Sequence, residues 1–164
     1  MRNARRSELG IRPLQNQALD NSYRPTAVTS SRMKAVRQRD TEPELIVRRV
    51  LHLLGVRFRI CPRDLPGRPD IANKSRQWAI FVHGCFWHGH EGCRLAKLPR
   101  TNSAFWIQKI EANRARDERK ENAVRALGFR VEVIWQCEIR DERRLQRRMR
   151  SFVGTGASRR RRVP

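Results

Sequence analysis

Five consecutive apolar residues, Trp78-Ala79-Ile80-Phe81-Val82, constrain this chain more than any other feature. A strand with one wet face alternates apolar and polar residues, whereas an unbroken apolar run of this length reads as a strand covered on both faces. Such a strand sits at the centre of a sheet, with further elements above and below it. The rest of the sequence has to supply those layers.

Candidates lie on both sides of the run. Thr41-Glu42-Pro43-Glu44 has the form of a capping box with Pro in the first turn. Leu45, Ile46, Val50, Leu51 and Leu54 follow near helical spacing, and Gly55 suits the stop. Val56-Arg57-Phe58-Arg59-Ile60 alternates as a strand with one buried face. The turn-rich Leu65-Pro66-Gly67-Arg68-Pro69 leads into a strand at Asp70-Ile71-Ala72, and Asn73-Lys74-Ser75 turns it into the apolar run. Ser103 to Leu127 reads as a long helix with Phe105, Ile107, Ile110, Ala123 and Leu127 inward, ended by Gly128. Phe129 to Trp135 is another strand, and Asp141 starts a last basic helix through Leu145, Met149 and Phe152. Trp78 and Trp135 are core candidates by strand position. The expected fold is therefore α/β, a mixed central sheet flanked by helices, in the order helix, three strands, helix, strand, helix.

With 164 residues, the chain suits one domain plus arms. Residues 1–28 lack apolar periodicity and read as a flexible basic arm; order is expected from Thr29-Ser30-Ser31, capping a short helix with Met33 and Val36. The expected domain covers 29–153, and 154–164 form a basic tail carrying Arg159 to Arg162. Arms +3 and +4 removed, the body from Pro25 to Val153 keeps +14 of the total +21. An excess of that size favours a polyanionic partner, with nucleic acid the default. No apolar run approaches a membrane span, and the first residues are not followed by an apolar signal core, so a cytoplasmic location is expected, on the nucleoid when DNA is bound. In that compartment, four cysteines point to metal ligands or free thiols.

The cysteines are grouped. Cys85-x4-His90-x2-Cys93, with Cys137 just past a strand, offers three thiolates and one imidazole, a closed set that suits structural zinc. The irregular stretch from Gly84 to Arg100 has too few aliphatic residues to pack alone, and metal bonds to a strand end would pin it. Buried free thiols beside unrelated histidines are the plainer alternative. Cys61 has no obvious partner and reads as a packed thiol.

Pro69-Asp70 opens a strand, and Phe81-Val82-His83 ends the next one. Many metal-dependent nucleases combine Pro-Asp with an acid-x-Lys triplet on the adjacent strand and an upstream helical Glu, because carboxylates beside a phosphate hold Mg²⁺. Here Asp70 and Glu44 supply carboxylates, while Phe81 and His83 replace the acid and the lysine. A turn Asp and a capping Glu are the ordinary readings of the same residues.

Leu65-Pro66-Gly67-Arg68-Pro69-Asp70, Phe81-Val82-His83-Gly84-Cys85-Phe86-Trp87-His88, Phe105-Trp106 and Trp135-Gln136-Cys137 together resemble the very short patch repair (Vsr) DNA mismatch endonucleases, from about Ser30 to Val153. The resemblance implies a restriction-endonuclease-like core with a structural zinc loop and no acid-x-Lys triplet. It also implies a Mg²⁺-dependent nickase acting 5′ of the thymine in T·G mismatches left by 5-methylcytosine deamination. By motif, Asp70 is the metal-binding carboxylate and Val82, where the family pattern has Thr, lends its backbone carbonyl. Glu44 and His83 support the hydrated metal, His88 is the catalytic histidine and Asp117 its orienting partner. Cys85, His90, Cys93 and Cys137 match the zinc ligands.

Phe86, Trp87 and Trp106 read by themselves as core packing. The resemblance makes them a wedge between bases, with Met33 entering from the opposite groove. The implied partner is double-stranded DNA with a T·G mismatch, met by a monomer, with mismatch-repair proteins as further candidate partners. Two alternatives stay open on the sequence: a non-cleaving, zinc-stabilised mismatch-binding module, and a nickase or restriction-type nuclease with another target.

Overall fold

A computed structural model describes residues 39–154. The expected arm, the helix at Thr29–Val36 with Met33, and the tail arginines Arg159–Arg162 lie outside the described residues, which all belong to one compact unit. In chain order the elements are α1 (Glu42–Leu53), β1 (Arg59–Ile60), β2 (Ile71–Asn73), β3 (Trp78–His83), α2 (Ser103–Ala126), β4 (Arg130–Trp135) and α3 (Glu142–Gly154), with single 3-10 turns at Arg94–Ala96 and Glu138–Arg140. The sheet order is β1-β2-β3-β4; the first two pairings are antiparallel and β3 pairs with β4 in parallel. A parallel neighbour requires a crossover, and α2 supplies it.

The apolar run is β3, covered on both faces. One core joins Val47, Val50 and Leu51 of α1 and Leu145, Met149 and Val153 of α3 to Trp78, Ile80 and Ile134. On the other face, Ala72, Ala79 and Phe81 meet Val124 of α2, with Val131 and Val133 partly buried alongside. The period of two along β3 and β4 thus assigns sides: Trp78, Ile80 and Ile134 to α1 and α3, Ala79, Phe81, Val131 and Val133 to α2.

Four expectations need correction. The strand at Val56–Ile60 shrinks to Arg59–Ile60, both exposed, because β2 is only three residues long and the Arg57 carbonyl accepts from the Asn73 side-chain amide (2.7 Å) instead. In α1, Leu45 is exposed and Val47 is buried in its place. In α2, Phe105, Ile107 and Leu127 are exposed while Trp106, Ile110, Asp117 and Val124 are buried. The capping box does not close. Thr41 sits at the N-cap, yet its hydroxyl donates to Glu44 Oε1 (2.8 Å) rather than accepting a backbone N–H, and the Glu44 carboxylate accepts from Asp40 N (3.1 Å) and from Arg48 Nη2 (2.8 Å). A Glu only 4% exposed needs a cationic partner more than the helix end needs a cap.

Candidate active site and metal centre

Because β3 and β4 run in parallel and in register, they end side by side at His83 and Trp135. The loops beyond these carboxyl ends hold the chemistry, as is usual in open α/β sheets. His83 continues the series Ala79, Phe81 on the α2 side and is buried. Its carbonyl accepts from Gln136 N (2.9 Å), which ties the two strand ends together.

After β3 the chain turns tightly, with His88 N donating to the Gly84 carbonyl (3.1 Å). His88 Nδ1 then meets Asp117 Oδ2 at 2.5 Å, and its ring lies parallel to that of His83, centroids 4.1 Å apart and planes 2° apart. Burial raises the Asp117 pKa, but the His88 hydrogen bond and the neighbouring His88, His83 and Arg116 charges outweigh it, so the net shift is downward. Burial, assisted by His88, pushes His83 down to about 4 and keeps it neutral. With Asp117 accepting from Nδ1–H, the Nε2 of His88 is the nitrogen left to exchange a proton.

Asp70 comes from the entry to β2. Its Oδ2 accepts from Val82 N (2.8 Å) across the β2–β3 pair. Burial, reinforced by the Glu44 charge and opposed by the Val82 N–H, Arg48 and His88, pushes its pKa up to about 6. The fold therefore brings Asp70, Glu44 and His88 within electrostatic reach of one another. Glu44 has both oxygens engaged, so it can act at Asp70 only by charge or through water.

Cys85, His90, Cys93 and Cys137 converge with their ligand atoms all within 4.8 Å of one another. His90 Nδ1 lies 3.5 Å from Cys85 Sγ and 3.3 Å from Cys137 Sγ. Burial pushes the Cys85 thiol up to about 12 and raises Cys137, while the Leu95 N–H lowers Cys93. A buried Cys85 thiol that resists ionisation, beside two half-buried thiols and an imidazole, belongs to a donor set that a soft cation would ionise and satisfy. Trp135, expected in the core, is half-buried and stacks on His90 (4.2 Å, 3°) with its edge toward His83 (5.3 Å). It joins the Cys/His cluster to the His83–His88 pair. Cys61 lies elsewhere, half-buried and bonded by the Arg39 side chain.

Beside His88, Phe86 packs on Trp87 (5.1 Å) and on Trp106 (5.2 Å). Phe86 and Trp87 are half-buried and Trp106 is 8% exposed. Asn113 Nδ2 donates to the Trp87 carbonyl (2.8 Å), and Arg114 pairs with Glu91. An open cleft of about 480 Å³ is lined by His83, His88, His90, Arg114, Asp117 and Trp135.

A sequence profile described as DNA mismatch endonuclease Vsr matches residues 22–94, the stretch that carries Glu44, Asp70, His83, His88 and three of the four clustered ligands. The chain is 39% identical over 138 residues to DNA mismatch endonuclease Vsr of Escherichia coli, covering 80% of this chain and 88% of that protein. The chain belongs to the Vsr family of DNA mismatch endonucleases. It is also 54% identical over 121 residues to the type II nicking enzyme V.XorIIP of Xanthomonas oryzae pv. oryzae (74% of this chain, 88% of the relative) and 34% identical over 128 residues to V.NmeAIP of Neisseria meningitidis serogroup A (78% and 91%). This Vsr-family protein is thus an endodeoxyribonuclease, and DNA is its partner. Among the described residues no helix is long and apolar enough to cross a membrane.

For a Vsr-family enzyme, His83, His88 and Asp117 invite reading as a further metal site, since their ligand atoms also lie within 4.8 Å. The stacked rings argue otherwise. Imidazole lone pairs lie in the ring plane, and two parallel planes direct them side by side rather than to one point. The sequence reading missed Asn113, Arg48 and the site role of Trp135. Only Asn113 carried a signal, four residues before Asp117 and seven after Trp106 on one face of α2.

Proposed function

We propose that this Vsr-family endonuclease nicks one strand 5′ of the thymine in T·G mismatches, such as deamination of 5-methylcytosine leaves, using Mg²⁺ at Asp70 and a structural zinc in the Cys/His cluster. The observation that carries this reading is the His88–Asp117 bond, stacked against His83 and within electrostatic reach of Asp70 at one end of the sheet.

The donors suit both metals. Asp70 is a half-buried carboxylate whose ionisation the fold opposes and a divalent cation would favour. Asp70 and the Val82 carbonyl would hold Mg²⁺, with Glu44 and His83 supporting its waters. When bound, the ion supplies Lewis-acid polarisation of a phosphoryl oxygen. His88, its Nδ1–H committed to Asp117, moves a proton at the scissile phosphate through Nε2. Three thiols and one imidazole match the donor set of a closed tetrahedral zinc site. That site holds the loop bearing His88, Phe86 and Trp87, which together with Trp106 of α2 enter the mismatched step as a wedge, with Met33 approaching from the opposite groove. A mispaired step costs less to unstack, so the deformation discriminates.

The test is strand-specific cleavage mapping with Mg²⁺ on T·G, other mismatched and matched duplexes at one salt concentration. Asp70→Ala and His88→Ala are expected to bind the T·G duplex within a few-fold of the parent and to lose nicking by roughly 10²-fold or more. Undiminished nicking by Asp70→Ala would overturn the site assignment. Equal nicking of matched and T·G duplexes would overturn the substrate.

A further inference from the structure

Helix α3 has two opposed faces. Leu145, Met149 and Val153 are buried against the sheet, with Phe152 partly so. At about 100° per residue, Arg143, Arg147 and Arg150 fall on the opposite side, flanked by Arg144 and by Arg140 from the preceding turn. All five are exposed. The nearby acids are engaged with other groups: Glu142 pairs with Arg49, Glu132 and Glu138 with Arg148, and Asp141 Oδ1 accepts from Arg144 N (2.9 Å). Among the described residues, Arg143, Arg144, Arg147 and Arg150 have no ion-pair partner. On α2, Arg114, Arg116 and Arg125 are paired with Glu91, Asp117 and Glu121, while Arg119 has no ion-pair partner among the described residues.

Like charges three and four residues apart repel, so this face works against the helix unless a polyanion meets it. The chemistry narrows the partner. No apolar side chain is interleaved with the arginines, as insertion into a membrane surface would require. Guanidinium groups match phosphate oxygens bidentately. From Arg143 to Arg150 the helix rises about 10 Å, close to three steps of about 3.4 Å along the duplex axis between phosphates of one strand. Gln146, three residues after Arg143 and four before Arg150, is half-buried at the edge of the stripe, and guanidinium contacts to phosphates position a duplex without reading it.

The cleft is on the α2 face of the sheet, while this stripe points outward from the opposite layer. We propose that Arg143, Arg144, Arg147 and Arg150 form a second, sequence-independent surface for the backbone of duplex DNA, which lets the enzyme hold a second DNA segment while the cleft is occupied. The inference needs only that the cleft binds DNA, whatever mismatch it selects.

The test immobilises a short duplex carrying the T·G pair, loads the full chain, and measures capture of a fluorescent 30-bp matched duplex from solution. The parent protein is expected to capture it at low salt. R143Q/R144Q/R147Q/R150Q should lose capture at least tenfold, while loading on the first duplex and nicking of it stay within about threefold. The four-lysine counterpart, which keeps the charge, should retain capture. The proposal is overturned if the parent captures no second duplex, if the glutamine variant captures as well as the parent, or if the lysine variant loses capture as the glutamine variant does. Failure to load the first duplex would instead count against the cleft as the DNA site, and is scored separately.

Discussion

Asp70 is a carboxylate that the fold makes costly to ionise. Its ordinary value of 3.8 rises to about 6, chiefly through burial. The native state therefore holds this proton over a pH range in which the unfolded chain has released it. Between about pH 4 and 6 stability falls as pH rises, and above 6 the whole cost is present, roughly 2–3 kcal/mol. Asp70→Asn keeps an acceptor for the Val82 N–H and removes the charge. It is expected to be more stable than the parent by about 1–3 kcal/mol at pH 7 without added Mg²⁺, with the advantage shrinking below pH 6 and gone by about pH 4. Urea unfolding of both proteins at several pH values measures this, and a less stable Asn variant at pH 7 would contradict it. Asp70 itself was readable from Pro69-Asp70 and the motifs around it. The cost was not, because it comes chiefly from burial by the folded layers, with a smaller part from Glu44, 26 positions away, whose own burial a capping box does not announce.

At the scale of elements, α2 acts as a ruler. Trp106, Ile110, Asn113, Asp117, Lys120 and Val124 alternate four and three residues apart and so share one face. Along it dock the aromatic cluster, Gly89, the Trp87 carbonyl, His88, Gly67 and the sheet. This face hides from an apolar-periodicity reading because two of its six members are polar and one is a lysine, while Phe105, Ile107 and Leu127 advertise other directions. The central strand and the order of elements were legible because burial on both faces writes itself as an apolar run. The two-residue β1 was not, since its length is set by its partner. Gly89 shows how closely the loop is seated: it adopts φ +64°, and a Cβ there would lie 2.4 Å from Ile110 Cγ2. Gly89→Ala should cost about 2–4 kcal/mol through left-handed strain and collision together, and lower nicking through a displaced His88. Adding Ile110→Ala removes the collision and leaves the strain, so part of the nicking should return. A double variant no more active than Gly89→Ala would show that the loop is not seated on Ile110.

Across the whole molecule, charge and shape divide the work. The body carries +14 without its arms; Arg114, paired with Glu91, lines the cleft, while among the described residues Arg143, Arg144, Arg147 and Arg150 of α3 have no ion-pair partner. Phosphate neutralisation releases counterions, so affinity for any duplex should fall steeply with salt, by roughly 10³–10⁵ between 50 and 200 mM for six to ten contacts. Discrimination has a different origin in the proposed mechanism. Phe86, Trp87 and Trp106 are uncharged, and the unstacking they exploit differs between mispaired and paired steps without any change in the number of phosphates held. Binding of T·G and matched duplexes should therefore weaken in parallel on a logarithmic salt scale, with the ratio between them constant to within about threefold. Titrations of both duplexes at four or five salt concentrations measure the two slopes directly. If the ratio collapses as salt rises, recognition resides in phosphate contacts that only the mismatched geometry permits, and the aromatic cluster is packing rather than a wedge. Phe86→Ala separates the outcomes further, since loss of a wedge lowers the ratio at every salt concentration and leaves both slopes unchanged.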